Sequence, residues 1–177
     1  HGKLRRIYLN NNPEMLKSYK KLAEIAWKSR FAIMKHDWKL LGSYFKENTR
    51  IMNNIMREAG FKYGIGLVNN ILIEIIEDHP DVYAAKLTGA GGSIFALVNP
   101  DKILNIKNYW KRKLSEIIMN QEKFSVRFPS YPLSIIDQFK NVLFFQVKID
   151  KNGVKKLKFI NSSSSNKVQI GEKSKDR

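Results

Sequence analysis

The stretch Ala85-Lys86-Leu87-Thr88-Gly89-Ala90-Gly91-Gly92-Ser93 sets three glycines within four residues, between two short apolar runs. Without a Cβ, glycine reaches positive φ easily and lets a ligand come close to the backbone. The flanking runs, Val82 to Leu87 and Ser93 to Val98, have strand length and predict an antiparallel pair joined by the glycine turn. Successive N–H groups in such a turn can converge on an anion. Thr88 and Ser93 add hydroxyl donors at its two ends, and Lys86 puts a cation nearby. Turn chemistry alone also fits a plain hairpin connection, so both readings stay open at this point.

Upstream of the turn the apolar residues recur at helical spacing. Asn10, Asn11 and Asn12 mark a loop, and Asn12-Pro13 supplies a capping side chain followed by proline at the first helical position. Leu16, Tyr19, Leu22, Ala23, Ala26, Ile33 and Met34 continue from there as one helix. Asp37 caps a second, carrying Leu41, Phe45, Met52, Ile55, Met56 and Ala59, and Gly60 stops it. A third runs from about Gly66 through Ile76 and ends before His79-Pro80. Gly64-Ile65-Gly66-Leu67-Val68-Asn69 is a near miss to a dinucleotide fingerprint, with no strand before it and Asn at the last glycine position, and reads as a helix start.

Downstream, Asn99-Pro100-Asp101 opens a helix striped by Ile103, Ile106, Trp110, Leu114, Ile117 and Ile118. Phe124, Val126 and Phe128 alternate as a strand does. Val142 to Ile149 and Val154 to Ile160 flank Asp150-Lys151-Asn152-Gly153, a hairpin signal. Helices first and strands later predict an α+β domain, with helices packed on one face of an antiparallel sheet. The domain is expected to span 1–160, with 161–177 a flexible polar tail.

Composition bounds the function. At 177 residues the chain can bury a core, and its lack of Cys excludes disulfides and thiolate metal sites. His36 and His79 have no metal-ligand spacing, and Glu74, Glu77 and Asp78 read as a solvated helix end. No apolar run is long enough to cross a bilayer, so no membrane partner is expected and the cytoplasm is the expected location. The net charge of +16 favours anionic partners, but the lysines are spread along every segment. Basic and aromatic residues interleave from Phe139 to Phe159, a pattern that any half-wet strand also shows, so nucleic acid is not expected as the main partner.

Lys86-Leu87-Thr88-Gly89-Ala90-Gly91-Gly92 resembles the third conserved motif of the GHMP kinases, which include galactokinases, homoserine kinases and mevalonate kinases. Within that superfamily the chain is most similar to the glucuronokinase-like sugar kinases. His1 with Arg5 resembles their His-Ser-x-x-Arg stretch, Asn48 matches an Asn of the second helix, and Gly66, Asn69 and Glu74 match the helix before the glycine strand. Phe145 to Ile149 resembles their closing strand. The chain departs from the pattern at Ser93, where a further glycine is common, at Arg50, where plant-type members carry Asp, and in a longer 101–141 region.

The resemblance implies a ferredoxin-like C-terminal domain of an ATP-dependent kinase acting on a sugar or sugar acid. It implies that Thr88, Gly89, Ala90, Gly91, Gly92 and Ser93 face the nucleotide, and that His1 and Arg5 lie near the sugar. ATP and Mg²⁺ would be bound mainly by an N-terminal domain upstream of the region seen here, the chain's expected partner. With no catalytic residue of its own, the chain alone is expected to be inactive. The alternatives are a galactokinase-like or other GHMP domain, or a basic nucleic-acid-binding module.

Overall fold

The computed structural model describes residues 2–89 and 92–147. Helix α1 spans Gly2–Leu9, α2 Pro13–Met34, α3 Trp38–Glu58 and α4 Leu67–Glu77. Strands β1 (Val82–Thr88) and β2 (Ser93–Val98) follow, then a 3₁₀ turn at Pro100–Lys102, α5 (Ile103–Met119) and α6 (Gln121–Arg127). A second 3₁₀ turn, Leu133–Ile135, leads into α7, Ile136–Phe139. The architecture is α+β, as the order of elements implies.

Local signals set the helix starts. The Asn12 side chain accepts from the Met15 N–H at 3.0 Å and Asp37 from the Leu40 N–H at 2.9 Å, each satisfying a donor that the first helical turn leaves free. Helix α4 is the hub. Ile71, Leu72, Ile73, Ile75 and Ile76 are all buried, so apolar residues face several directions and the helix must be covered on more than one side. On one side Ile71, Leu72 and Ile75 meet Leu114, Ile117, Phe124, Phe128 and Phe139. On another, Ile73 and Ile76 meet Val82, Ala85 and Ile106, with Leu87, Ile94, Ala96 and Val98 packed around them. The Trp110 indole N–H donates to the Leu72 carbonyl at 3.0 Å and ties α5 to α4. Helices α1, α2 and α3 share a separate cluster around Met15, Ile25, Ile51 and Ile55.

The strands pair antiparallel in the register Lys86↔Phe95, Leu87↔Ile94, Thr88↔Ser93, with an irregularity between Val82 and Ala84. Side chains alternate across the pair, so Leu87 and Ile94 face α4 and α5 while Lys86 and Phe95 lie on the opposite face. The edge of β1 away from β2 is closed by side chains. Glu77 accepts from the Ala85 N–H at 3.0 Å, and the Thr49 hydroxyl donates to the Ala85 carbonyl at 3.4 Å.

Two stretches depart from expectation. Phe124, Val126 and Phe128 are not a strand: 121–127 is helical, and Asn120 caps it by accepting from the Lys123 N–H. Phe124, on the helix, and Phe128, the residue that caps its C-terminal end, are both buried, whereas Val126 is 78% exposed. Residues 142–147 have no regular structure, so the expected strand from Val142 and the closing strand from Phe145 do not appear there. The hairpin at 150–153, its second strand and the boundary at 160 lie outside the described residues. Residues 2–9 form α1, held by Leu4 and Ile7 against the α2–α3 cluster.

Candidate functional site

The β1–β2 turn carries the glycine-rich stretch singled out in the sequence. Gly89 has φ of 60° and Gly92 has φ of 84°, so the left-handed conformations that the glycines make accessible are used at both ends of the turn. A methyl group built on either would meet nothing within 4 Å, so the requirement is conformational and the surroundings are open. Thr88 and Ser93 are exposed and directly opposite each other as the last pair of the ladder. Ala90 and Gly91 lie outside the described residues.

Lys86, next to this turn, is caught between two rings. Its Nζ lies 5.7 Å from the Phe45 ring centre and 5.6 Å from that of Phe95, and the rings meet edge to face at 5.5 Å. The ammonium also donates to the Leu87 carbonyl at 3.2 Å. This holds β1, β2 and α3 together on the face away from α4, and the clamp could not be read from sequence because Phe45 and Phe95 are fifty residues apart.

Burial pushes the Lys86 pKa below its usual value near 10.5. The folded chain therefore releases this proton at a lower pH than the unfolded chain does. The residue's contribution is least favourable where both states are protonated, and it improves as pH rises through the folded pKa towards the unfolded one. Urea titrations of wild type and Lys86→Met are expected to show wild type gaining on the variant over that alkaline window. Parallel curves would mean that the ammonium is as well solvated as in the unfolded chain.

Arg5 is exposed on α1 and lines, with Gly2, Leu4, Tyr8 and Tyr19, an open depression of about 550 Å³. Among the described residues, its walls come from α1 and α2. The two candidate regions therefore occupy different surroundings: Arg5 stands on the α1–α2 layer, and the glycine turn stands at the end of the strands. His1 lies outside the described residues. The Glu74–Asp78 helix end is more than a solvated face. Arg127 reaches Asp78 at 2.8 Å and Glu74 at 3.4 Å, while Glu77 serves the β1 edge and lies 3.9 Å from Lys46. His79 acts as a cap, its Nδ1 accepting from the Asp81 N–H at 3.1 Å. Among the described residues, no group of three or more His, Asp or Glu is arranged to hold a metal ion, and no helix is long and apolar enough to cross a membrane.

An α+β unit with a glycine-rich hairpin turn, two of its glycines at positive φ, is the structural class that these features define. The family model described as GHMP kinases C terminal matches residues 30–116, just under half of the chain, from the end of α2 into α5 and including the whole glycine turn. This match supports a place in the GHMP kinase superfamily. No curated protein and no solved structure gave a significant match.

Proposed function

We propose that this chain is the C-terminal domain of an ATP-dependent small-molecule kinase, and that its glycine turn faces the nucleotide phosphates. The observation that supports this most is the coincidence of a glycine turn, positive φ at Gly89 and Gly92, with the segment matched by the kinase family model. In the reaction an acceptor hydroxyl oxygen bonds to the γ-phosphorus while the bond from that phosphorus to the bridging oxygen breaks. The hydroxyl proton goes to a base and ADP leaves. Such a transfer depends on positioning and on neutralising charge over the phosphoryl oxygens. Thr88, Ser93 and the N–H groups of 89–92 are the donors this domain would bring. Mg²⁺ would add the main countercharge, held by the phosphates and by the N-terminal domain that the family description implies. The 177-residue chain alone is expected to show no acceptor-dependent ATP consumption.

A sugar acid is the proposed acceptor, with Arg5 as the partner of its carboxylate. Arg5 lines the depression beside Tyr8 and Tyr19, and a guanidinium can hold a carboxylate by two parallel hydrogen bonds. The test is acceptor-dependent ADP release by the kinase that contains this domain, over a panel of sugars and sugar acids. Arg5→Ala is expected to lower kcat/KM on glucuronate about ten- to a hundred-fold and to spare the matching neutral hexose. An equal loss on both would make Arg5 structural. A wild type that prefers the neutral hexose would favour a galactokinase-like acceptor instead.

A further inference from the structure

The α2–α3 hairpin carries an apolar surface that the kinase reading leaves unused. Every residue from Ile33 to Leu40 is exposed, so the connection between the two helices projects into solvent. Its side chains are not those of an ordinary polar turn. Trp27 is 59% exposed, Phe31 44%, Ile33 50% and Met34 65%, with Trp38 and Leu40 also exposed. At about 100° per residue, Trp27, Phe31 and Met34 fall within roughly 60° of one another, on the side of α2 away from the buried Ile25 and Ala32. Helix α2 thus has a second apolar stripe, beyond the one that its core requires. The rings of Trp27 and Phe31 meet edge to face at 5.4 Å, which makes the stripe continuous.

Cations frame it. Lys28, Arg30, Lys35 and Lys39 are all exposed along this segment. Arg30 lies 5.8 Å over the Trp27 ring, while Lys28 pairs with Glu24. Among the described residues, Arg30, Lys35 and Lys39 have no carboxylate within 4.0 Å, and Asp37 is engaged as the α3 cap. Protruding apolar side chains bordered by unpaired cations match the chemistry of a bilayer interface, where rings and aliphatics enter the headgroup layer and Lys and Arg meet lipid phosphates.

We propose that the 27–40 tip docks on an anionic lipid bilayer, with Trp27, Phe31, Met34 and Trp38 entering the interface. The expectation of no membrane partner rested on the lack of a spanning segment, and surface adsorption needs none. Charge argues against a second copy as the occupant, because a symmetric contact would set these same cations against themselves in a chain of net charge +16. Shape argues against single-stranded nucleic acid, which needs a groove along its backbone and stacking faces. Here every residue from Ile33 to Leu40 is exposed, and Ile33, Met34 and Leu40 cannot stack on bases.

The test mixes the complete protein with phosphatidylcholine vesicles, with or without phosphatidylserine, and follows tryptophan emission and flotation. Binding to the serine-containing vesicles is expected, with a blue shift and quenching by brominated acyl chains. Phe31→Ser/Met34→Ser is expected to weaken partitioning about tenfold or more. Both side chains are exposed, so the circular dichroism spectrum should not change. Failure to bind, or binding by the double variant as tight as wild type, would overturn the proposal, the second outcome leaving only adsorption of a basic chain. A lipid-free dimer or an oligonucleotide complex that shields Trp27 while vesicles go unbound would also overturn it, assigning the tip to that partner.

Discussion

Truncating Phe124 to Ala is expected to destabilise the fold by about 3–5 kcal/mol, the cost of emptying a fully enclosed aromatic site. Phe124 is 0% exposed and shares one buried cluster with Ile71 and Ile75 of α4 and Leu114 and Ile117 of α5, its ring 5.4 Å from that of Phe128. In a domain of this size the midpoint of thermal unfolding should fall by roughly 6–20 °C. The paired control is Val126→Asp. On a helix Val126 points to solvent at 78% exposure, and its replacement should change stability by only about 0.5 kcal/mol. In a half-buried strand all three of Phe124, Val126 and Phe128 would share one face, and Val126→Asp would cost as much as a core lesion. Urea unfolding of the two variants therefore measures both the packing and the element type.

The second large effect is expected at Gly64, where two causes act together. Its φ of 60° is a left-handed conformation, costing other residues about 1–2 kcal/mol. A Cβ there would also overlap Asn53, the nearest atom being the side-chain Oδ1. That oxygen is in use: it accepts from the Ile65 N–H at 3.1 Å, while Asn53 Nδ2 donates to Asn70 at 3.0 Å and Asn70 Nδ2 to the Tyr63 carbonyl at 2.9 Å. Gly64→Ala must displace Asn53 and break this chain of amides, which joins α3 to the start of α4. A total of roughly 2–5 kcal/mol is expected, of which about 1–3 kcal/mol comes from the donors left unsatisfied. The two parts separate in the Asn53→Ala background, where only backbone strain should remain. Equal costs in both backgrounds would show that Asn53 does not obstruct the site.

Much of the helical layer was legible because its signals are local. Asn12-Pro13, Asp37 and Gly66 sit where α2, α3 and α4 begin, and each acts through atoms within a few residues. The strand pair was legible for the same reason, since the glycines that permit its turn are contiguous with it. The 124–128 segment misled because three alternating apolar residues satisfy period two, and Phe124 and Phe128 also satisfy i, i+4. Only packing against α4 and α5 decides between the two, and that information is remote in sequence. Helix α1 has no cap or long stripe to mark it in the sequence; Leu4 and Ile7 acquire meaning only against the cluster of Met15, Ile25, Ile51 and Ile55. At the candidate site the glycines could be read, whereas the Phe45–Lys86–Phe95 clamp and the use of Glu77 on the β1 edge could not, because each joins separate elements.

The central claim is that the glycine turn works on phosphate and is more than a connection between strands, and Gly92→Val in the intact kinase tests it most directly. Gly92 has φ of 84° in open surroundings, so valine there strains the turn without striking the core. Stability should fall by about 1–2 kcal/mol, with circular dichroism unchanged. Acceptor-dependent kcat/KM should fall on the order of a hundredfold, the scale seen when one preorganised donor to a developing charge is lost. Turnover close to wild type in a folded Gly92→Val enzyme would contradict the claim and leave residues 89–92 as a hairpin turn alone.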